Sequence, residues 1–537
     1  VRPPKLLELF PHWWQRHLDF ILFFFLAAAT KFINLRTVLY FIWDQGRDAW
    51  AIRNIVVNHD LVLVGPTSGM QGFFLGPLWF YAGVPGYILG HGSPYILSAW
   101  YIAIACSMLI FVWWLTHKLF AKPTVATAAA YLVAFLPGAL AGTTFIWNPL
   151  LSLPLVAAAT WALIQSRQSR WWMTLGFFLF ALVLQSEFAY AVFFLVPLWL
   201  LIPWLRQRWD VRDFLLATGA VAVTLVPQGL FELRHNWLMT NAIINSFHDS
   251  TQSIGWGPLW QTRPGQLWDA TRRLLAGGFP AGNVLTLLLM IIVGWAIWRI
   301  WRRPANFAWR LISLLAIVPY VGFMLWRGNH GYFFLYYYTP HFIFLGLLIA
   351  YGVEQLSAVL TTHHLPQSIR ALQPYLVPGL LGMLATVCVA TTWSSTIDVE
   401  NNAGLRTMES ALSTVYAWTK TDDVPQQQAA LRIFTPNAQT EHYDYIMHWL
   451  AQNNRMPIPR TVRTASDQTW YTILEPDPYA HGETRFFPWY KDATASGVLV
   501  RRMKVGALYL ETWMSPAAVK QHGYSALPFT VPRVALE

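Results

Sequence analysis

Cysteine is almost absent from this 537-residue chain: Cys106 and Cys388 are the only two, and each lies inside an apolar run. That placement makes a stabilising disulfide or a thiolate metal centre a poor organising feature. Charge is scarce too, at 12% Asp, Glu, Lys and Arg, with 8 lysines beside 30 Trp and 34 Phe. A water-soluble globule needs more charge than this, so soluble fold classes are excluded for most of the chain. Neither GxGxxG nor a P-loop occurs, which argues against direct use of a dinucleotide or ATP. HExxH, paired His ligands and DxD are missing as well, so no metal constellation is read. Four spaced acids, Asp44, Asp48, Glu187 and Glu232, could still converge on one divalent cation, and metal use stays open at this point.

What the chain has in quantity is apolar sequence, 55% of all residues, gathered into runs near twenty long. The pattern predicts a polytopic α-helical membrane protein with about eleven transmembrane helices. The spans fall near 18–36, 94–116, 124–144, 148–165, 171–186, 188–204, 213–230, 281–300, 308–326, 334–355 and 372–394. The first reads as an anchor and not as a cleaved signal, because many spans follow it. Residues 72–90, GFFLGPLWFYAGVPGYILG, are apolar enough for a twelfth span, but their glycines and prolines favour an interfacial or re-entrant element.

The formal net charge of +11 is a topology signal. Residues 1–394 hold 24 Lys and Arg against 12 Asp and Glu, and fifteen of those cations crowd into alternate short connections. Those ends should be cytoplasmic, with the amino terminus inside and, by the odd span count, the carboxy terminus outside the cytoplasmic (inner) membrane. Cations spread through short loops do not make a nucleic-acid surface, so no nucleic acid partner is expected. Counting 72–90 as a span would put the Arg-rich connections outside, a second reason to reject it. The outer connections are long, about 35–93 and 231–280, and loops of that size suggest functional structure. After Trp393 the long apolar runs stop. Residues 395–537 carry 13 cations against 14 acids and short alternating segments such as LRIFTP, TWYTILEP and SGVLVRRMKV. With helical candidates at 401–419 and 440–453, they predict an extracytoplasmic α/β or α+β domain. The domain division is therefore 1–394 and 395–537.

The first outer loop opens with FIWDQGRD, residues 41–48. If Gly46 starts a helix, Asp44 and Asp48 share one side of it, with Arg47 between them. Arg47 can be neutralised by these two acids or can meet a phosphate. Glu187, in the polar centre of a helical hairpin, can cap that hairpin or face a cavity. Glu232 and His235 lie three apart after Pro227, where they can bridge to fix the loop or contact a ligand. Arg327 and His330 are either solvated loop residues or a phosphate-binding rim. In the run Tyr336 to Tyr338, Tyr337 is the ring singled out to stack on a sugar or along an isoprenoid, against the plainer reading of an interfacial belt.

WDQGRD, then GPTSG and GFFLGPLWFY, resembles the first outer loop of membrane glycosyltransferases that use polyprenyl-phosphate-linked sugars, the protein mannosyltransferase and aminoarabinose transferase type. The likeness continues through Trp147-Asn148-Pro149, FELRHN at 231–236, the Tyr-rich segment from His330 to Pro340, and FTPN and ILEPD in the outer domain. It implies a GT-C fold, a polyprenyl-phosphate-linked sugar donor entering from membrane lipid, and a lipid, glycan or protein acceptor on the outer face. Asp44 matches that family's first-loop acid. A carboxylate at the water–lipid boundary suits a base that activates an acceptor hydroxyl, with Asp48 as a second catalytic candidate. The 65–90 loop would exclude water. One departure concerns position 187: a Gln and a His two apart are common there, whereas this chain has Gln185 and Glu187. Eleven spans alone fit a transporter or a flippase of a lipid-linked glycan equally well. A transporter, however, distributes polar residues at mid-membrane, whereas here acids and Arg concentrate at one face. A third reading is an assembly protein scaffolded by the outer domain, in which the acids would be dispensable.

Overall fold

A computed structural model describes residues 12–70, 72–142, 145–248, 253–302, 306–328, 331–362, 373–393, 401–453, 456–477 and 485–528. The chain divides into two compact units: Val1–Ile33, Asp60–Gly83 and Ala99–Asp398 in the first, and Asn34–His59, Val84–Ser98 and Val399–Glu537 in the second. Residues 34–59, which carry the WDQGRD segment, thus cluster with the carboxy-terminal residues.

The first unit is helical. In chain order its helices, with those that begin or lie in the second unit, are α1 (His12–Phe32), α2 (Leu35–Val38), α3 (Trp43–Val57), α4 (Leu78–Gly90), α5 (Pro94–Leu119), α6 (Pro123–Phe135), α7 (Pro137–Ala141), α8 (Ser152–Ile164), α9 (Arg170–Ser186) and α10 (Phe188–Leu200). There follow α11 (Ile202–Arg206), α12 (Val211–Thr224), α13 (Val226–Arg234), α14 (Leu238–His248), α15 (Trp256–Leu275), α16 (Gly282–Arg302), α17 (Phe307–Leu325), α18 (Phe342–Thr362) and α19 (Gln373–Thr392). The boundaries follow local chemistry. Pro123 and Pro137 open their helices at first-turn positions whose N–H has no intrahelical acceptor. Ser169, Asp210 and Asn306 cap α9, α12 and α17 with side-chain oxygens. Within the unit α9 packs along α8, α10 and α12, α6 along α19, and α16 along α18.

Among the described residues, five helices are long and apolar enough to cross a membrane: Pro94–Leu119, Gly282–Arg302, Phe307–Leu325, Leu335–Val359 and Pro374–Thr392. The pair α12–α13, which covers the expected span 213–230, would make a sixth, bent by 56° just before Pro227. Three further apolar helices, Pro123–Phe135, Asn148–Ile164 and Phe188–Leu200, are shorter. Both cysteines are buried and free. Where α9, α11 and α12 end together, Asp210 and the fully buried Asp213 pair with Arg170, Arg206 and Arg208, so part of the basic surplus in these connections is neutralised locally.

The long segment 231–280 is not an irregular connector, since it folds into α14 and α15. WGPLWQTRPGQLWDATRRLL spaces Leu259, Arg263, Leu267, Ala270, Thr271 and Leu274 on one buried face, with Pro264 and Gly265 inside the helix.

The second unit contains a mixed four-stranded sheet, β1 (Ala430–Phe434), β2 (Thr469–Leu474), β3 (Val498–Val505) and β4 (Leu508–Met514), in the order β1-β2-β4-β3. β1 and β2 run parallel, joined through α21 (Glu441–Gln452), while β4 is antiparallel to both neighbours. The β3–β4 turn relies on Gly506, at φ +56. Helices α20 (Leu405–Thr421), α22 (Phe486–Ala493) and α23 (Pro516–His522) complete it. Trp470, Leu474, Phe434, Phe486, Tyr490, Leu499 and Trp513 form the sheet's core.

Candidate functional site

In the second unit, α3 begins at Trp43, so Gly46 does not start the helix; it lies in the first turn. The Gln45 side-chain oxygen accepts from the Ile42 N–H at 2.9 Å and fixes that turn. Asp44 and Asp48 then fall on one side, as their spacing requires, and both are buried. Arg47 Nη1 lies 2.9 Å from Asp44 Oδ1, while its Nη2 and Nε donate to Asp48 Oδ1 at 2.7 and 3.0 Å. The guanidinium also sits 5.2 Å from the Trp43 ring centroid. Of the two sequence readings for Arg47, neutralisation by its neighbours is the observed geometry. Asp44 contributes one oxygen to that pair, and its carboxyl is pushed up to about 6, chiefly by burial and also by the negative charge of Asp48, with Arg47 opposing.

The glycine has a packing role. A Cβ on Gly46 would stand 2.4 Å from the backbone N and Cα of His442, so only hydrogen lets α3 lie against α21. Around this contact Trp50 packs edge-on to Tyr445 at 5.6 Å, Arg53 Nε donates to His448 Nε2 at 3.1 Å, and Tyr445 donates to the Gly92 carbonyl at 2.8 Å. The buried His442 in turn meets Glu475 Oε1 at 3.1 Å, which brings the ILEPD segment into the support. Gly46→Ala should therefore destabilise this unit by ~1–3 kcal/mol, since backbone and not a flexible side chain must yield. A thermal melt at matched pH checks this, and an unchanged midpoint would show that the contact can relax freely.

The remaining candidates lie in the first unit. Glu187 is buried in the turn between α9 and α10. Its neighbours hold the turn: Gln185 Nε2 donates to the Thr224 carbonyl, and Asn148 Nδ2 donates to the Ser186 carbonyl at 2.6 Å. Residues 65–70 and 72–76 pair as a tight hairpin, with Gly65 N–H on the Leu75 carbonyl at 2.7 Å and a bridge between Thr67 and Phe74. It presses on Gln185 at Gly76, on Phe188 through Phe73 and on Phe231 through Phe74. The expected loop is thus docked beside both Glu187 and Glu232.

Glu232 and His235 do share a helix end, but the carboxylate is committed elsewhere. Its two oxygens accept from Met239 N–H at 2.8 Å, Thr240 N–H at 2.9 Å and the Thr240 hydroxyl at 2.6 Å, so Glu232 caps α14 and fixes the loop that way. His235 is exposed, and its ring stacks on Phe231 at 3.9 Å. Arg327 donates to the Ile254 carbonyl at 2.8 Å and lies over Trp256 at 4.9 Å, tying the chain after α17 to the start of α15. His330 lies outside the described residues. Tyr337 is buried in an aromatic cluster with Tyr336 at 4.6 Å, Trp326 at 5.6 Å and Phe323 at 6.2 Å.

The sequence reading missed Arg263. On α15 it is fully buried, yet only Nη2 finds acceptors, the carbonyls of Trp326 at 3.2 Å and Gly331 at 3.5 Å. Among the described residues Nε and Nη1 have no hydrogen-bond acceptor, and Gln266 Oε1 one turn away has no donor, while the guanidinium lies 5.5 Å from the Phe333 ring centroid. Among the described residues no acid pairs with this guanidinium, and a buried cation is costly without a counter-anion, so the position suits a phosphate or carboxylate ligand. The available signal was the amphipathic spacing of α15, concealed by Pro264 and Gly265. Nearby, Tyr338 and His341 are fully buried and stacked at 4.2 Å, and Tyr190 Oη lies 3.3 Å from His341 Nδ1. Among the described residues no three His, Cys, Asp or Glu side chains are grouped to hold a metal. Arg47 is a cation that Asp44 and Asp48 both face.

No family model and no curated protein matches the chain. Solved structures share its fold, among them two of one protein. ArnT from Cupriavidus metallidurans bound to undecaprenyl phosphate aligns with a TM-score of 0.58 at 13% identity, over 92% of this chain and 98% of that one. The same protein in the apo state aligns at 0.56 and 13%, over 93% and 98%. At such identity the likeness is one of fold, and it runs nearly the full length of both chains.

Proposed function

We propose, from this shared fold, that the chain is a GT-C-type membrane glycosyltransferase that moves one glycosyl residue from a polyprenyl-phosphate-linked donor to an acceptor outside the cytoplasmic membrane. The observation that carries the reading is the full-length likeness to a structure that holds undecaprenyl phosphate. Two features of this chain's own residues support it. Asp44, buried and held by Arg47, suits a base that takes the proton from an acceptor hydroxyl as its oxygen attacks the anomeric carbon. The bond to the donor phosphate breaks, and the polyprenyl phosphate leaves with the electron pair. Taken by itself, the first unit offers its own phosphate candidates: among the described residues Arg263 Nε and Nη1 have no hydrogen-bond acceptor, and Arg327 is a second cation. The test is reconstitution with a panel of polyprenyl-phosphate sugars, following release of polyprenyl phosphate and labelling of acceptor. Movement of intact lipid-linked sugar across the bilayer without cleavage would replace the enzyme with a flippase.

The same proposal takes eleven spans with the amino terminus cytoplasmic, resting on the basic short connections. Because both native thiols are buried, introduced cysteines report cleanly. Probes at Ser68, Gly265 and Ser466 should label from outside intact cells and one at Ser169 should not. Outside labelling at Ser169 would invert the orientation.

A further inference from the structure

The second unit carries a cleft that none of the roles above uses. It lies beside the carboxyl end of β1, where the parallel pair β1–β2 leaves the sheet and the chain turns through 435–440 into α21. Open α/β sheets gather ligands at such strand ends. The turn is held in a conformation that side chains rarely adopt: Ala438 has φ +57 and donates its N–H to the Thr435 carbonyl at 3.0 Å. The cleft measures about 640 Å³, within the usual range of small-molecule sites.

Its walls are chemically mixed. Arg432, Arg485, Trp489, Asn437, Thr435 and Thr461 line it. Arg485 donates Nη1 to the Pro436 carbonyl at 3.0 Å, which orients the guanidinium, and among the described residues no hydrogen bond occupies its Nε or Nη2. Arg432 lies 5.7 Å from the Trp489 ring centroid and pairs with Asp492 at 3.0 Å. That acid is 73% exposed, so the pair is weakly held and open to exchange for another anion. Among the described residues the lining carries two guanidinium groups, one of them paired with the exposed Asp492, a positive balance. Trp489 is half-buried, with Phe434 at 5.4 Å. Asn437 and Thr461 are exposed at the rim.

Each part has a counterpart in one ligand class. An indole presents an apolar wall to the C–H face of a pyranose. An amide and hydroxyls exchange hydrogen bonds with sugar hydroxyls. An arginine fork matches carboxylate or phosphate oxygens two at a time. We propose that this cleft binds a saccharide that carries an anionic group, either a carboxylate or a phosphate. The proposal is independent of the transfer reaction and would hold for a protein that transfers nothing.

The test is calorimetric titration of the full-length protein in lipid nanodiscs with digalacturonate and with glucose 6-phosphate. Maltose, inorganic phosphate and AMP serve as controls. At least one charged saccharide should bind with Kd of ~1 mM or tighter, and the two arms decide between carboxylate and phosphate. Maltose, inorganic phosphate and AMP should each bind at least ~10-fold more weakly, the difference being the loss of one recognition element. Arg485→Gln, a surface change, should weaken binding by ~10-fold or more while leaving the melting temperature unchanged. Trp489→Ala should do the same, and hydrogen exchange over 430–440, slowed by ligand in the parent, distinguishes a lost contact from a collapsed cleft. The proposal is overturned if neither charged saccharide binds, if inorganic phosphate or AMP binds as tightly, or if Arg485→Gln leaves affinity unchanged.

Discussion

Asp44→Asn should lower turnover by at least ~10²-fold while the folded protein and its donor affinity survive. Asparagine keeps the size and one hydrogen-bonding oxygen but cannot take a proton from the attacking hydroxyl. The variant should also fold well, for a reason specific to this helix. Burial and the charge of Asp48 raise the Asp44 carboxyl to about 6, above its ordinary value, so the folded state holds a proton that the unfolded chain has already released. The sign follows by linkage. The ionised form costs stability above pH 6, the cost fades as pH falls between about 6 and 4, and below that it is absent. Removing the charge at neutral pH therefore relieves a penalty. Arg47 meanwhile keeps both of its hydrogen bonds to Asp48 Oδ1. Asp44→Asn should melt no lower than the parent at pH 7, and a large loss of activity cannot then be blamed on unfolding. In the parent, turnover should fall as pH drops through about 6, because the base must be ionised, whereas the residual activity of the variant should lack that limb. Asp48→Asn should show the opposite balance, a smaller catalytic loss and a lower melting point, since it weakens the residue that orients Arg47. Full turnover by folded Asp44→Asn protein would remove Asp44 as the base. Equal losses in both variants would make the two acids one functional unit.

Much of this arrangement is legible in the chain because its signals are local. Apolar runs placed the helices α5, α16, α17 and α19 within a few residues, and i, i+3, i+4 spacing put Asp44 and Asp48 on either side of Arg47. Alternating segments located β1, β2 and β3. What escaped depends on contacts distant in sequence. Gly46 looks like a helix start when read along the chain. Its need for hydrogen arises from the backbone of His442, nearly four hundred residues away. Glu232 looks like a partner for His235 until α14 presents two backbone N–H groups to it. The compact units divide for the same reason. Residues 34–59 follow the first apolar helix in sequence, yet they pack with α21 and pair their backbone with Asn401 and Leu405. α15 is the clearest failure: three Arg, a proline and a glycine mask the spacing of its buried face, so 231–280 read as loop and Arg263 was never considered.

Arg263→Met should separate ligand-free stability from donor binding. Methionine is apolar and similar in length, so it removes the charge with little change in packing volume. The parent residue is a fully buried cation with two nitrogens that, among the described residues, have no hydrogen-bond acceptor, and its hydrogen bonds to the Trp326 and Gly331 carbonyls are long, 3.2 and 3.5 Å. Losing those bonds is offset by no longer burying an unpaired charge, and replacing buried ions by apolar side chains is often neutral or stabilising. The melting temperature without ligand should therefore stay within a few degrees of the parent. Binding should respond in the opposite way. If the free donors hold the donor phosphate, their removal leaves a buried anion unpaired, which costs ~2–5 kcal/mol, or ~30-fold and upward in affinity. Undecaprenyl phosphate is the probe, and its stabilisation of the parent against heat gives the readout, since a ligand that binds only the folded state raises the midpoint by mass action. Arg263→Lys should recover part of the affinity, because the charge is restored but not the two-pronged geometry. A residue whose task is only to tie α15 to the Trp326 carbonyl would give the reverse pattern, a lower ligand-free melt and an unchanged response to undecaprenyl phosphate. That outcome would move the phosphate role to the other candidate, Arg327, whose guanidinium lies against the Ile254 carbonyl and the Trp256 ring.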